Sequence, residues 1–169
     1  MAEPHTAPQL HIAQDPVADE LLSTDAFALL TGMLLDQQFP MERAFAGPAK
    51  IKERFGTLDP EAIAAADPEA FADLCATPPA VHRYGRSMAG RVQALAAAVV
   101  ADYDGDAANI WTRARDGRDL FARVHALPGF KSQIPFAAWC VLNVMVWPMR
   151  AQPAPLSVGV PDAPGDAAP

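Results

Sequence analysis

The sequence predicts an all-α fold, and three observations support this prediction. Apolar residues make up 51% of the 169 residues but aromatic residues only 8%, and much of the apolar content is alanine, a strong helix former. Apolar residues also recur at spacings of three and four, as they do on one face of a helix. No alternation of apolar and polar residues indicates a strand. A single domain is expected for a chain of this length.

The N-terminal part of the chain predicts an arm followed by two helices. Residues 1–14 show no periodicity and are expected to form a flexible arm. Asp15 then suits the N-cap of a helix, with Pro16 in the first turn, where a missing N–H group costs nothing. The next segment, "STDAFALLTGMLLDQQ", is apolar on most sides and predicts a buried core helix capped by Ser23 or Thr24.

Further helices follow from turn residues and periodicity. A third helix is expected to start at Pro40, to be kinked or split at Gly47 and Pro48, and to end at Gly56. Two copies of "DPEA" predict two short consecutive helices. The clearest amphipathic helix is "RSMAGRVQALAAAVVADYDGD", whose apolar face contains Met88, Val92, Leu95 and Val99. The segment "DGRDLFARVHAL" predicts one more helix, and another is expected over residues 135–149.

The ends of the chain set the predicted domain boundaries. The last stretch, "AQPAPLSVGVPDAPGDAAP", is rich in proline and alanine and is expected to be disordered. The helical domain is therefore expected to cover residues 15–149, followed by a tail over residues 150–169. The N-terminal residues do not resemble a signal peptide, and the apolar run at residues 134–146 is too short to span a bilayer. A cytoplasmic location is expected.

The distribution of charge matters more for nucleic-acid binding than the total. A net charge of −7 argues against general affinity for nucleic acid, because phosphate binding depends on Lys and Arg. Residues 80–131, however, contain eight basic and five acidic residues, a balance of +3, which leaves −10 for the rest of the chain. A basic half beside an acidic half can bind a polyanion locally.

A short turn signal at residues 125–130, "HALPGF", points to one anion-binding element. Leu127, Pro128 and Gly129 are expected to form a tight turn between two helices. Such a turn can direct backbone N–H groups outward at the start of the next helix, where the helix dipole adds positive potential. These groups would bind a DNA phosphate without a charged side chain. An ordinary helix stop is the competing interpretation, since Pro-Gly commonly follows a helix.

Three segments in this order, "LLTGMLLDQQFPMERAF", "VHRYGRSMAGRVQAL" and "HALPGF", resemble the HhH-GPD (helix-hairpin-helix) superfamily of base-excision DNA repair glycosylases. The stretches "GMLLDQQFPMERAFAGP" and "DYDGDAANIWT" carry the resemblance most distinctively. It covers about residues 10–134 and is closest to a short bacterial branch of the superfamily. The resemblance implies a compact helical domain with a helix-hairpin-helix. It also implies a partner, double-stranded DNA with a damaged or abasic site, from which such enzymes flip a base.

The resemblance also implies which side chains contact DNA. In that superfamily an early helix ends in a Gln-containing turn that fills the gap left by an everted base, so Gln38, or its neighbour Gln37, is expected to do so. The residues alone leave equally open that both glutamines cap a helix end. Tyr84 is a candidate for base stacking, and Arg86 and Arg91 are candidates for phosphate contacts. The alternative for these three is a solvated helix start.

The chain departs from the family's pattern at two places. The family's hairpin is similar to Leu-Pro-Gly-x-Gly, whereas Lys131 stands in place of the second glycine, which allows close approach of a phosphate. Lys131 is expected to be a surface lysine near phosphate rather than the Schiff-base nucleophile of bifunctional members. Family glycosylases also carry an Asp about twenty-five residues after the hairpin glycine. That count ends near Gln152 and Pro153, and the nearest acid is Asp162, so no catalytic residue is assigned.

Cysteine and histidine spacing indicates no metal centre. Cys75 and Cys140 form no CxxC pair, so they cannot supply the usual cysteine pair of a zinc site or a four-cysteine iron–sulfur cluster. Both are expected to be reduced, buried thiols. The four histidines show no ligand spacing. No metal and no organic cofactor is expected, although a hairpin can hold a monovalent cation together with its phosphate.

A second class of function competes with DNA repair. The chain is alternatively a non-catalytic helical protein-interaction module, or a degenerate or truncated glycosylase remnant. The acidic total and the missing glycine favour this alternative, whereas the basic segment favours DNA. The C-terminal part of the family's domain is expected to be truncated or divergent in this chain, over residues 135–169. A frameshift near Ile134 would explain the composition of these residues. DNA binding requires that Gln38, residues 83–91 and the turn at residues 127–131 share one face.

Overall fold

The computed structural model describes residues 9–131 of the chain. The helices in this range are α1 (Pro16–Thr24), α2 (Ala26–Leu35), α3 (Met41–Phe45), α4 (Gly47–Phe55), α5 (Pro60–Ala65), α6 (Pro68–Ala76), α7 (Gly85–Tyr103), α8 (Asn109–Thr112) and α9 (Gly117–Ala126). No strand occurs between residues 9 and 131, so the predicted all-α class is confirmed for this range. The predicted helix at residues 135–149 and the tail lie outside the described residues, and the domain boundaries stay a prediction.

Asp-Pro pairs start three of the helices, as predicted. The carboxylates of Asp15, Asp59 and Asp67 accept hydrogen bonds from backbone N–H groups in the first turns of α1, α5 and α6. The proline that follows each Asp has no N–H group to leave unpaired, and its fixed φ already suits a helix. The two "DPEA" copies therefore form the two short consecutive helices that the sequence predicts.

The N-cap predicted for the core helix was wrong by one or two positions. Asp25, rather than Ser23 or Thr24, caps α2 and accepts a hydrogen bond from the Ala28 N–H group. Ser23 and Thr24 belong to the last turn of α1, and their hydroxyls donate to the carbonyl oxygens of Asp19 and Glu20 one turn earlier. A hydroxyl engaged in this way is not available to cap the next helix.

Two helices, α2 and α7, organise the core. Every residue of α2 from position 27 to position 35 is buried, in agreement with the predicted core helix. The predicted apolar face of α7 is buried as well: Met88, Val92, Leu95 and Val99. Helices α5 and α6 pack against α7, and helices α1, α3 and α4 pack against α2. The C-terminal end of α2 and the N-terminal end of α7 thereby come within reach of each other.

The predicted break at Gly47 and Pro48 separates α3 from α4. Both residues are buried. A Cβ atom on Gly47 would lie 2.5 Å from Cδ1 of Leu35 and 3.1 Å from Cγ1 of Val81. The glycine therefore lets α4 begin directly against the end of α2, which is where the candidate site lies.

The flexible arm expected over residues 1–14 is wrong for residues 10–13, which are fastened to α1. Leu10 is buried, and its N–H group donates to Oγ of Ser23. The N–H groups of Ile12 and Ala13 donate to the buried carboxylate of Asp19, at 2.9 and 2.8 Å. A buried carboxylate needs such partners, because an unpaired charge loses its hydration on burial. These bonds fasten the chain just before α1.

The described residues offer no obvious place for a membrane span or a metal. No helix between residues 9 and 131 combines the length and the apolar character needed to cross a bilayer. Over the same range, no three side chains of His, Cys, Asp or Glu come together as metal ligands. Cys75 is a free, buried thiol, and burial raises its pKa to about 11, so it stays protonated at neutral pH. Cys140 lies outside the described residues.

Candidate functional site

Three segments that are distant in the sequence meet at Gln37. Its side-chain Nε2 donates a hydrogen bond to the carbonyl oxygen of Gly129, at 2.8 Å. Its Oε1 accepts a hydrogen bond from the guanidinium of Arg91, at 3.3 Å. Its backbone carbonyl oxygen accepts a third from Nε2 of His82, at 3.0 Å. Residues 36–39, 82–91 and 127–131 therefore adjoin one another, and we refer to these three segments together as the junction.

Gln38 differs from Gln37 in both conformation and exposure. Gln37 is half-buried, whereas Gln38 is exposed and has a left-handed backbone with φ of +55°. This conformation costs a residue with a Cβ atom on the order of 1 kcal/mol, so the surrounding turn must hold it in place. The amide of Gln37 bonds to the hairpin turn and to α7 instead of closing the end of α2. The junction thus presents the neutral amide of Gln38 to solvent.

The turn after α9 has the tight form that "LPGF" predicts. The N–H group of Phe130 donates to the carbonyl oxygen of Leu127, at 3.2 Å, and both of these side chains are buried. Pro128 and Gly129 are half-buried between them. Gly129 has φ of +88°, and a Cβ atom there would collide with Cδ1 of Leu34. Glycine is therefore favoured at this position mainly by its backbone conformation, and also by its small volume beside Leu34.

An aromatic cluster leads from the interior of the junction to its surface. His82 is 1% exposed, and its ring centre lies 4.6 Å from that of Phe39 and 5.8 Å from that of Tyr84. Tyr84 is 52% exposed, and the guanidinium of Arg83 lies 5.0 Å from the centre of its ring. An exposed tyrosine backed by a buried ring and a cation is a suitable surface on which a nucleobase can stack.

The predicted phosphate contacts fall into two groups. Arg91 is exposed, and among residues 9–131 its side chain bonds to a neutral amide oxygen and to no carboxylate, so within this range its charge is available to a ligand. Lys131 is also exposed, at the end of the hairpin turn. Arg86 instead forms ion pairs with Glu69, at 2.7 Å, and with Asp73, both on α6. A phosphate would have to compete with two carboxylates for Arg86.

One carboxylate lies at the edge of the junction. Burial, with a further contribution from Glu42, raises the pKa of Asp36 from 3.8 to about 6. Asp36 directly follows α2 and precedes the two glutamines. At neutral pH it is mostly ionised and would repel a nearby phosphate. At mildly acidic pH it becomes neutral, so the junction is less acidic there.

The structure brings most of the predicted site residues together and adds two that the sequence did not indicate. Gln37 and Arg91 contact each other directly, and Gln37 also contacts the Leu127–Gly129 turn. Gln38 follows Gln37 in the chain, and the backbone N–H group of Tyr84 bonds to His82, which itself bonds to Gln37. Gln38 and Tyr84 therefore both belong to the junction. His82 and Phe39 were missed, because a single His and a single Phe carry no local signal of a partner some 45 residues away. The positions counted for the family's Asp lie outside the described residues.

Comparison with protein families finds a match to the HhH-GPD superfamily of base excision DNA repair proteins over residues 31–160. The matched range begins within α2 and contains all three segments of the junction. It also continues past Ile134, where the resemblance noted in the sequence ends and near which a frameshift was considered. A search of the curated proteins finds no match.

Among solved structures, the chain is similar to endonuclease III in a trapped covalent intermediate with DNA, described as an estranged-adenine complex. The two chains share 19% sequence identity, and the TM-score is 0.48. The similarity covers 78% of this chain and 57% of the endonuclease III chain. The present chain thus spans little more than half the length of that relative.

Proposed function

We propose that this chain, which belongs to the HhH-GPD superfamily of base excision DNA repair proteins, binds double-stranded DNA at a damaged or abasic site through the junction. The observation that carries this proposal is the set of hydrogen bonds made by Gln37, which joins the hairpin turn, the start of α7 and the turn after α2. DNA binding requires that Gln38, residues 83–91 and the turn at residues 127–131 share one face, and the bonds of Gln37 support this arrangement. A protein-interaction module would not need it.

Gln38 is the residue proposed to enter the duplex. Its exposed amide carries both donors and an acceptor, so it can satisfy the hydrogen-bonding groups of a base that has lost its partner. Because the amide is neutral, it can enter the base stack without the desolvation penalty of a charge. The bonds of Gln37 hold the preceding residue in place, which limits the entropy lost when Gln38 engages DNA.

The hairpin turn and two exposed cations are proposed to hold the backbone of the DNA. Gly129 has no side chain, so a phosphate can come close to its backbone N–H group. Arg91, which shares Gln37 as a hydrogen-bond partner with Gly129, and Lys131, two residues after Gly129, add positive charge. Contacts of this kind position the duplex without reading its sequence.

Cleavage of the glycosidic bond to a damaged base is the finer proposal. The family's description as base excision repair proteins favours it. The reaction needs a group that supports the cationic sugar in the transition state. Residues near position 152, where the family's Asp is expected, lie outside the described range, so no residue of this chain is assigned that task. Base removal is therefore proposed for the protein and not for a named side chain.

Binding to two duplexes tests the proposal. One duplex carries a tetrahydrofuran abasic-site analogue and the other is undamaged, and we define the lesion preference as the Kd for the undamaged duplex divided by the Kd for the analogue. The expected preference is about tenfold or more, which corresponds to about 1.4 kcal/mol. Gln38→Ala is expected to reduce the preference to near one while leaving the Kd for the undamaged duplex almost unchanged.

Gln14→Ala is the matched control for Gln38→Ala. Gln14 is also an exposed glutamine with a left-handed backbone, at φ of +56°, but it lies before α1 and outside the junction. Both substitutions place alanine in the same unfavourable conformation, so they have similar conformational costs. Only Gln38→Ala is expected to change the lesion preference. An equal loss in both variants would contradict the assignment of Gln38.

A salt titration of the same complexes tests the phosphate contacts. The two proposed cations in contact with phosphates would give a slope of log K against log salt of about −2. Arg91→Ala is expected to make the slope less negative by about one. Arg86→Ala is expected to leave it unchanged, because α6 already neutralises Arg86. Absence of binding at low salt would contradict the proposed function and favour a protein partner.

A further inference from the structure

His82 is buried at the centre of the junction, and both of its ring nitrogens are engaged. Nδ1 accepts a hydrogen bond from the backbone N–H group of Tyr84, at 3.0 Å. The partner of Nε2 is the carbonyl oxygen of Gln37, also at 3.0 Å, which can only accept. The proton therefore resides on Nε2, and the ring is the neutral tautomer with one donor and one acceptor.

The two partners of His82 belong to peptide groups that adjoin the exposed side chains. The Gln37 carbonyl is part of the planar peptide group that leads into Gln38, so its orientation constrains the left-handed φ of Gln38. The Tyr84 N–H group belongs to the peptide group that leads into Tyr84. One rigid ring thus bridges the backbones from which Gln38 and Tyr84 project.

We propose that His82 is a positioning residue that holds Gln38 and Tyr84 in a fixed relative arrangement, so that both engage a DNA lesion together. This positioning role rests on the proposed function, because it assigns both side chains to the lesion. It adds a residue that contacts no DNA itself.

The surroundings of His82 suit a fixed spacer. The ring is 1% exposed, and its centre lies 4.6 Å from that of Phe39 and 5.8 Å from that of Tyr84. Hydrogen bonds in such a dry environment are strong, and a bond lost there leaves an unpaired buried group. Burial lowers the pKa of His82, and the positive charges of Arg83 and Arg91 lower it further, against the effect of the bond to Gln37. The ring therefore stays neutral at physiological pH, as both bonds require.

Two substitutions separate the two bonds of His82. In His82→Asn the side-chain oxygen replaces Nδ1 and can still accept from the N–H group two residues later, as in an Asx turn, but no donor reaches Gln37. In His82→Gln the longer amide can still donate to the Gln37 carbonyl, but no acceptor remains for Tyr84. Each variant therefore releases one of the two exposed side chains and keeps the other.

Lesion preference in double mutants is the first measurement. In the wild-type background Gln38→Ala is expected to lower the preference about tenfold. In the His82→Asn background the same change is expected to have less than a twofold effect, because Gln38 is already released. In the His82→Gln background the effect of Gln38→Ala is expected to persist, whereas that of Tyr84→Ala is expected to vanish. A purely structural His82 would instead reduce binding to both duplexes and leave the effects of Gln38→Ala and Tyr84→Ala unchanged.

NMR of the free protein is the second measurement, and it needs no DNA. The ring nitrogen shifts of His82 are expected to show the Nε2–H tautomer. The Tyr84 amide proton is expected to exchange slowly in the wild type and in His82→Asn, and rapidly in His82→Gln. The three-bond coupling of the Gln38 amide, which reports φ, is expected to change in His82→Asn only.

The two measurements distinguish a failure of the proposed function from a failure of the positioning role of His82. A wild-type protein without lesion preference but with the expected NMR pattern would contradict the proposed function and support the coupling through His82. A wild-type lesion preference that survives unchanged in His82→Asn, together with an unchanged Gln38 coupling, would overturn the positioning role and leave the proposed function intact.

Discussion

Gln37 and Gln38 are adjacent glutamines in different environments, because the backbone of Gln38 has a left-handed conformation and that of Gln37 does not. Gln37 makes hydrogen bonds with His82, Arg91 and Gly129, which follow it in the sequence by 45, 54 and 92 positions. Gln38, in contrast, has φ of +55° and is exposed. From the sequence alone, both were candidates for the same task. Only the long-range partners of Gln37 show that Gln37 supports the turn and that Gln38 is the glutamine exposed by it.

Asp36 gives a prediction about stability and pH. Its pKa is raised to about 6, so between the unfolded value of 3.8 and about 6 the folded protein binds this proton more tightly than the unfolded chain does. The free energy of unfolding therefore falls as pH rises through this range, and the penalty is complete above pH 6. Asp36→Asn is expected to raise the free energy of unfolding at pH 7 by roughly 1 kcal/mol, a value reduced for partial exposure.

Denaturant unfolding at two pH values checks this prediction. The gain from Asp36→Asn is expected to be largest at pH 7 and to shrink toward pH 4.5, where the wild-type carboxyl is mostly protonated. Glu42→Gln is a useful comparison, since Glu42 is the smaller cause of the shift and its replacement should give a smaller gain. An equal gain from Asp36→Asn at both pH values would show that ionisation of Asp36 is not responsible.

At the scale of elements, the start of α7 is set by close packing against the end of α6. Gly85 is the first residue of α7, and a Cβ atom there would lie 2.8 Å from the carbonyl oxygen of Cys75 and 3.0 Å from Cα of Ala76. Both neighbours are backbone atoms, which cannot move aside as a side chain can. Gly90, in the same helix, is exposed, and a Cβ atom on it would have no neighbouring atom within 4 Å outside the helix's own backbone.

Alanine at these two glycines is therefore expected to have opposite effects on stability. Gly90→Ala should raise the free energy of unfolding by roughly 0.5–1 kcal/mol, because alanine loses less backbone entropy in a helix. Gly85→Ala should lower it by roughly 1–3 kcal/mol, because α6 and α7 must separate. Urea unfolding of both variants measures the two changes. A stabilised Gly85→Ala would contradict the packing of α7 described above.

Local patterns predicted the helices well, and long-range contacts account for what they missed. Asp-Pro starts and apolar spacing depend on neighbours within one or two turns, so Asp15, Asp59 and Asp67 were identifiable as caps. The cap of α2 was misassigned because it depends on where α1 ends. The bonds of His82 and the ion pairs of Arg86 join different elements. No local spacing encodes such pairs, so they became visible only in three dimensions.

At the scale of the whole molecule, charge and architecture favour a local over a general surface for the DNA binding proposed above. The chain carries a net charge of −7, which disfavours indiscriminate binding to a polyanion. The junction follows the C-terminal end of α2, while the N-terminal end of α2 borders a cavity of about 400 Å³ lined by Thr57, Asp59 and Asp106, among others. A ten-residue helix is about 15 Å long, so the two ends are well separated.

The measurement that tests the junction most directly is an NMR titration of the 169-residue chain with the duplex that carries the abasic-site analogue. The amide signals of residues 36–39, 82–91, 127 and 129–131 are expected to shift together as duplex is added. The amide signals of residues 57–59, at the opposite end of α2, are expected to stay in place and serve as the internal control. Shifts concentrated at residues 57–59, or spread evenly over the domain, would contradict the junction as the site of DNA binding.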